Sequence, residues 1–169
     1  MFLIAIKAEH RDYASLAGTR PQGAVAMFGQ PIASVMERNK ILIAPPETSV
    51  GTAARLMAEK KVGAVMVVED GRLVGIFTER DAVYRVIAQG RDARTTRLAE
   101  VMTPDPNTVT PEESFGYALL LMHERGFRHA PVLENGRPVG MVSARNALDP
   151  DLEEFEAEAQ RRKHIRRRA

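Results

Sequence analysis

The chain has 169 residues, a net charge of +2 and no cysteine. That length fits one domain, or two small repeats that share a core, without any covalent staple. The missing thiols exclude disulfides, thiolate zinc sites and cysteine nucleophiles together.

Charge is unevenly placed. Arg161, Arg162, Lys163, Arg166, Arg167 and Arg168 form a basic tail, and the rest of the chain has 18 basic against 22 acidic residues, a balance of −4. The apolar run at residues 2–6 is too short for a membrane span or for most signal-peptide cores. A soluble cytoplasmic protein with no membrane partner is therefore expected.

Residues 1–30 contain Gly18, Pro21, Gly23 and Gly29 and keep no period of 3.6 or 2. They read as a loosely ordered arm, with a short strand near residues 3–7 and Met27 as an alternative start. Beyond them the chain repeats itself. Residues 43–83 align without a gap on residues 108–148, 65 positions later, with 16 identities in 41 pairs. Chance would give roughly two or three.

The repeats are placed at residues 31–91 and 97–148, and each reads helix, strand, helix, strand, strand, helix. Short leading helices are predicted over 31–36 and 97–102, matched by Val-Met pairs at 35–36 and 101–102. Brief strands follow at 41–44 and 108–109. Val50, Ala53, Ala54 and Met57 recur at helical spacing, as do Phe115, Ala118, Leu119 and Met122. Ser49 and Ser114 are candidate N-caps.

Residues 64–68 are a continuous apolar run, as in a strand buried on both faces. Glu69-Asp70-Gly71 and Glu134-Asn135-Gly136 carry the signals of tight hairpins. The returning strands reach Phe77 and Val142, and final helices begin at Thr78 and Ser143, the first ending at Gly90. The expected fold class is α/β or α+β, two pseudo-symmetric repeats, each a small mixed three-stranded sheet packed on helices. Residues 149–169 read as a last helix, with Leu152, Phe155 and Ala159 on one face, followed by the basic tail.

Each copy closes on one phrase, Gly75-Ile76-Phe77-Thr78-Glu79-Arg80-Asp81 and Gly140-Met141-Val142-Ser143-Ala144-Arg145-Asn146. Thr-x-x-Asp fits a helix-capping box, which is a structural role. It also sits at a strand end, where crevices form, and at a helix start, whose free N–H groups attract anions. Its recurrence 65 residues on favours a site.

The two copies, over about residues 31–148, resemble cystathionine β-synthase (CBS) domains, and the tandem resembles a Bateman module. The similarity rests on the doubled Gly-h-h-Thr/Ser-x-x-Asp/Asn phrase, the Arg128-His129-Ala130-Pro131-Val132-Leu133 strand and the Glu-Asn-Gly hairpin. Small bacterial stand-alone CBS-pair proteins carry the same phrases. The resemblance implies a non-enzymatic sensor that binds AMP, ADP, ATP or NAD, and in some members S-adenosylmethionine, and that pairs into a flat homodimer.

Carried over, Asp81 accepts ribose hydroxyls, while Thr78 and the amides of Glu79 and Arg80 hold phosphate. Adenine lies between Ala44 and Gly63-Ala64, against Met66 or Ile76, and Arg128 with His129 supplies positive charge from across the cleft. A weaker second site comprises Val109, Phe127, Pro131, Ser143, Arg145 and Asn146. The copies depart from each other where Asn146 replaces the aspartate, Ser143 replaces Thr78, and Met66 stands opposite Pro131.

His129 has only His123 as a near neighbour, so no metal site is expected. The tail has no interleaved aromatics, which disfavours nucleic acid. Met57, Met66, Met102, Met122 and Met141 read as core filling. No phosphate-loop, dinucleotide or nucleophile-elbow motif is present, which argues against a kinase, NTPase or dehydrogenase. Two alternatives to a nucleotide sensor stand beside it. One is a structural dimerisation or protein-interaction module with an empty cleft and an unidentified protein partner, and the other is a nucleic-acid binder acting through its tail.

Overall fold

The computed structural model describes residues 28–39 and 41–147. The strand near residues 3–7, the last helix and the basic tail lie outside the described residues.

The first repeat opens with strand β1, Ile43–Ala44, and helix α1, Val50–Lys60. Strands β2, Ala64–Glu69, and β3, Arg72–Thr78, form a hairpin. Helix α2 is a single turn, Glu79–Asp81, continued by a π-helical segment, Ala82–Ile87. Next come α3, Leu98–Val101, and β4, Thr103–Pro104. The second repeat supplies α4, Phe115–Arg125, then β5, His129–Glu134, and β6, Arg137–Ser143, ending in a 3-10 turn, Ala144–Ala147.

Local chemistry explains these boundaries. The Ser49 hydroxyl accepts the Thr52 N–H, and the Ser114 hydroxyl accepts the Tyr117 N–H, so both expected caps hold. Helices α1 and α4 each end on a left-handed residue, Lys61 and Gly126. Both hairpins turn on two residues of positive φ, Asp70-Gly71 and Asn135-Gly136, as a two-residue type I′ loop requires. Each shows an irregularity at the same place, Val67/Val68 and Val132/Leu133, which are 65 residues apart.

Strands β1, β2 and β3 form the expected mixed sheet, with β1 parallel to β2 and β2 antiparallel to β3. Strand β4 extends it by pairing with β3. In the second half β5 and β6 are flanked by single bridges, Val109 to Val132 and Glu37 to Met141, which repeat the same order.

The leading helices do not pack on their own repeats. Ile32 and Met36 join the core of the second half, beside Val109, Phe115 and Val132. Leu98 and Val101 join the core of the first half, beside Leu42, Val65 and Phe77. Each half thus completes its core with a turn that precedes the other in sequence. Two glycines permit this exchange. A Cβ on Gly75 would overlap the Met102 side chain, and one on Gly140 would lie 2.7 Å from the Met36 sulfur.

Ala64, Met66, Ile76 and Met141 form a third small core between the halves. Among the described residues no helix is long and apolar enough to cross a membrane.

Candidate functional site between the repeats

The Thr78 phrase closes a complete capping box. The Thr78 N–H and hydroxyl donate to Asp81 Oδ2 at 2.9 and 2.7 Å, and the Asp81 N–H donates to the Thr78 hydroxyl at 3.4 Å. The structural role and the proposed binding role therefore fall on the same two residues. Asp81 is only 8% exposed, and its second oxygen, Oδ1, lies 3.3 Å from Arg85 Nε. A carboxylate offers about four acceptor positions. These three interactions leave capacity on Oδ1 for a further donor.

Arg85 also donates Nη1 to the carbonyls of Val101 and Met102, at 2.9 and 2.7 Å. It ties the π-helical segment to the turn borrowed from the second repeat. In the second copy the Ser143 N–H and hydroxyl donate to Asn146 Oδ1 at 2.7 and 3.0 Å. The amide oxygen reproduces what Asp81 Oδ2 does, so the backbone is built alike while the charge differs.

Two clefts lie at these strand-to-helix junctions. The first, of about 350 Å³, sets Thr78, Glu79, Arg80, Asp81 and Arg85 against the α4–β5 connection from Arg125 to His129. Ile76 and Thr103 with Asp105, Pro106 and Asn107 complete its lining. The second, of about 250 Å³, sets Ser143, Arg145 and Asn146 against Lys61, Val62, Gly63 and Ala64, with Glu37, Ile41, Leu42 and Met141 completing it. The first falls within the roughly 300–1,000 Å³ usual for small-molecule sites, and the second just below it.

Several residues sit elsewhere than the sequence grouping had them. Ala64 lines the second cleft, because each junction faces the start of the other repeat's central strand. Phe127, grouped with the second site, lines the first. Ala44 and Val109 are buried in the two repeat cores, Met66 is sealed between the halves, and Pro131 is buried within β5; none of the four lines either cleft. Arg85, Arg125 and the 103–107 segment were missed. The pseudo-symmetry of the repeats held the signal, since crossed halves must pair junctions with the opposite strand.

Gly63 and His129 are the two residues that line both clefts. Burial lowers the pKa of His129 from its ordinary value; the Glu79 carboxylate pulls it up, while Arg128 and Arg145 push it down. The imidazole is therefore held toward its neutral form between two sites rich in cations. Among the described residues no group of three or more His, Asp or Glu gathers as a metal site.

A pseudo-symmetric pair of repeats, crossed at their first turns and enclosing two junction clefts, defines a tandem CBS-domain module. The CBS domain family model matches residues 32–88 and 98–151, and the chain belongs to that family. A mitochondrial CBS domain-containing protein of Arabidopsis thaliana, CBSX3, is 36% identical over 120 residues, covering 68% of this chain. The chain spans 58% of that relative's length. A conserved protein of Pyrococcus horikoshii superposes with a TM-score of 0.68 at 33% identity, covering 73% of this chain and 93% of its own. The CBS domain protein PAE2072 of Pyrobaculum aerophilum, complexed with AMP, shares the fold with a TM-score of 0.63 at 24% identity, over 69% of this chain and 89% of its own.

Proposed function

We propose that this protein is a non-enzymatic regulatory module that binds an adenosine nucleotide in the first cleft. AMP, ADP, ATP and NAD all present the groups the cleft would read. The observation that carries the reading is the opposition of Asp81 and Thr78, on one repeat, to Arg128 and His129 on the other. A carboxylate accepts ribose hydroxyls, guanidinium forks bind phosphate, and Ile76 with Phe127 offers apolar surface to the base. The Glu79 amide, expected to hold phosphate, instead donates to the Gly63 carbonyl at 3.1 Å, so the phosphate role passes to the Arg80 amide and the guanidinium groups. AMP in a protein of the same fold supports the choice of ligand.

The ligand would touch both halves and the Thr103–Asn107 segment, so occupancy would alter the angle between repeats. A partner protein, or a second copy in a cytoplasmic homodimer, would sense that change. Millimolar AMP, ADP, ATP or NAD should raise the melting temperature, because a ligand of the folded state stabilises it by RT ln(1 + [L]/Kd). If none of them shifts melting and Asp81→Ala changes nothing, the reading fails.

A second reading is a dimerisation or docking module whose clefts stay empty. It is favoured by the exposed apolar side chains Val83, Tyr84 and Ile87 on the π-helical segment and Tyr117 and Leu120 on α4. Self-association that nucleotides leave unchanged would support it over the first.

A further inference from the structure

We propose that the first cleft selects a nucleoside polyphosphate over a monophosphate, and that Arg125 makes the distinction. The inference rests on the adenylate reading above and names the ligand class of that same site.

Three arginines line the cleft around the end of α4. Arg125 is the last residue of the helix and Arg128 follows three residues later. Arg80 reaches across from the first repeat to donate Nη1 to the Gly126 carbonyl, at 3.0 Å, between them. The fourth, Arg85, is engaged by Asp81 and by the Val101 and Met102 carbonyls. Among the described residues, neither Arg125 nor Arg128 makes an ion pair or a side-chain hydrogen bond.

Among the described residues, no carboxylate of the cleft forms an ion pair with these three arginines. Asp81 pairs with Arg85, Glu79 lies beside His129 and Gly63, and Asp105 follows β4 on the cleft lining. Like charges lining one cleft repel, and a multivalent anion turns that repulsion into attraction. Guanidinium forks match phosphate oxygens in pairs.

The groups are also ordered along the chain. Arg128 adjoins His129 at the start of β5, near the Thr78 junction, where a first phosphate would sit. Arg125 stands at the exposed helix end, three residues earlier, and is the group we assign to a second or third phosphate. The other cleft has nothing equivalent. Gly63 stands where Arg128 does, and its cations are Lys61 and Arg145.

The test is calorimetric titration of the full chain with AMP, ADP and ATP at one salt concentration, for wild type, Arg125→Gln and Asp81→Ala. ATP should bind at least about tenfold tighter than AMP, and Arg125→Gln should remove that advantage while changing AMP affinity by less than about twofold. Arg125 is exposed, so circular dichroism of the variant should match wild type. Equal affinities for AMP and ATP, or an equal loss of both in Arg125→Gln, overturns the proposal. If AMP binding is then still abolished by Asp81→Ala, the adenylate reading survives alone. Failure of all three nucleotides to bind overturns both.

Discussion

The imidazole of His129 occupies the space a side chain on Gly63 would need: a Cβ there would lie 3.1 Å from both Cε1 and Nε2. The Glu79 carboxyl carbon would be 3.3 Å away on the same side. A residue at the edge of one repeat is thus kept small by a residue of the other, at the partition between the clefts. Gly63→Val should push the imidazole aside and distort both clefts. The expected result is a loss of about 1–3 kcal/mol of stability, in the range of overpacked sites, and a loss of nucleotide-induced melting shifts. Unchanged melting curves, with and without nucleotide, would show that the partition yields freely.

His129 also gives stability a pH dependence. Its folded-state pKa lies below the ordinary value of 6.5, mainly through burial. The unfolded chain therefore binds the proton more readily, and stability rises with pH wherever that difference holds. The contribution is fully present above pH 6.5 and is lost as pH falls from there toward the folded-state value. Melting temperatures compared at pH 7.5 and 5.5 should fall more steeply in wild type than in His129→Gln. Parallel profiles for the two proteins would contradict the assignment.

Asp81→Asn separates capping from binding, because Asn146 already shows that an amide oxygen closes the same box. The variant should keep its helix start and lose under about 1 kcal/mol, the worth of a partly exposed pair with Arg85. Nucleotide affinity should drop by tenfold or more, about 1.4 kcal/mol, since a diol then faces an amide donor where an acceptor stood. Thr78→Val, by contrast, should cost about 0.5–2 kcal/mol of stability by removing the cap. Chemical denaturation with and without AMP distinguishes the two patterns.

Close packing of the exchanged turns makes another prediction. Gly75→Ala would drive a methyl group into Met102, with the Thr103 carbonyl 3.1 Å away as a second obstacle. The cost should be about 1–3 kcal/mol. Combining it with Met102→Ala should recover part of that loss, the mark of direct coupling in a double-mutant cycle. Additive losses would place the strain elsewhere.

The homodimer reading is tested on the exposed apolar helices. Ile87 is 73% exposed and Leu120 54%, and burying a side chain of that size is worth roughly 1.5–3 kcal/mol. Ile87→Glu with Leu120→Glu should convert dimers to monomers in light scattering. A dimer that persists at the same concentration would move the interface to another face.

Much of the fold was legible because it is local. Ser49 and Ser114 cap where a serine before an apolar period should, and Asp-Gly and Asn-Gly turn as such pairs do. Thr78 and Asp81 form the capping box and are also the proposed ligand groups; Asp81 Oδ1 keeps an acceptor position, whereas the Thr78 hydroxyl proton is already given to Asp81. The crossing of the halves was not legible. Residues 31–36 and 97–102 have a helical pattern whichever core they join, and periodicity says nothing about which sheet receives them. Gly75 and Gly140 held the clue, since glycine inside a buried strand signals something approaching closely. The same crossing moved Ala64 and Phe127 into each other's expected clefts, and it hid Arg125, whose place in sequence is an ordinary helix end.

The borrowed first turns have a consequence for how the molecule could be divided. Cutting the chain between residues 91 and 97 would not release two small domains. Each fragment would carry a stopper cut for the other's opening, and each would leave its own opening unplugged. The sequence repeat and the packed half are therefore different stretches of chain, and each packed half draws on both copies.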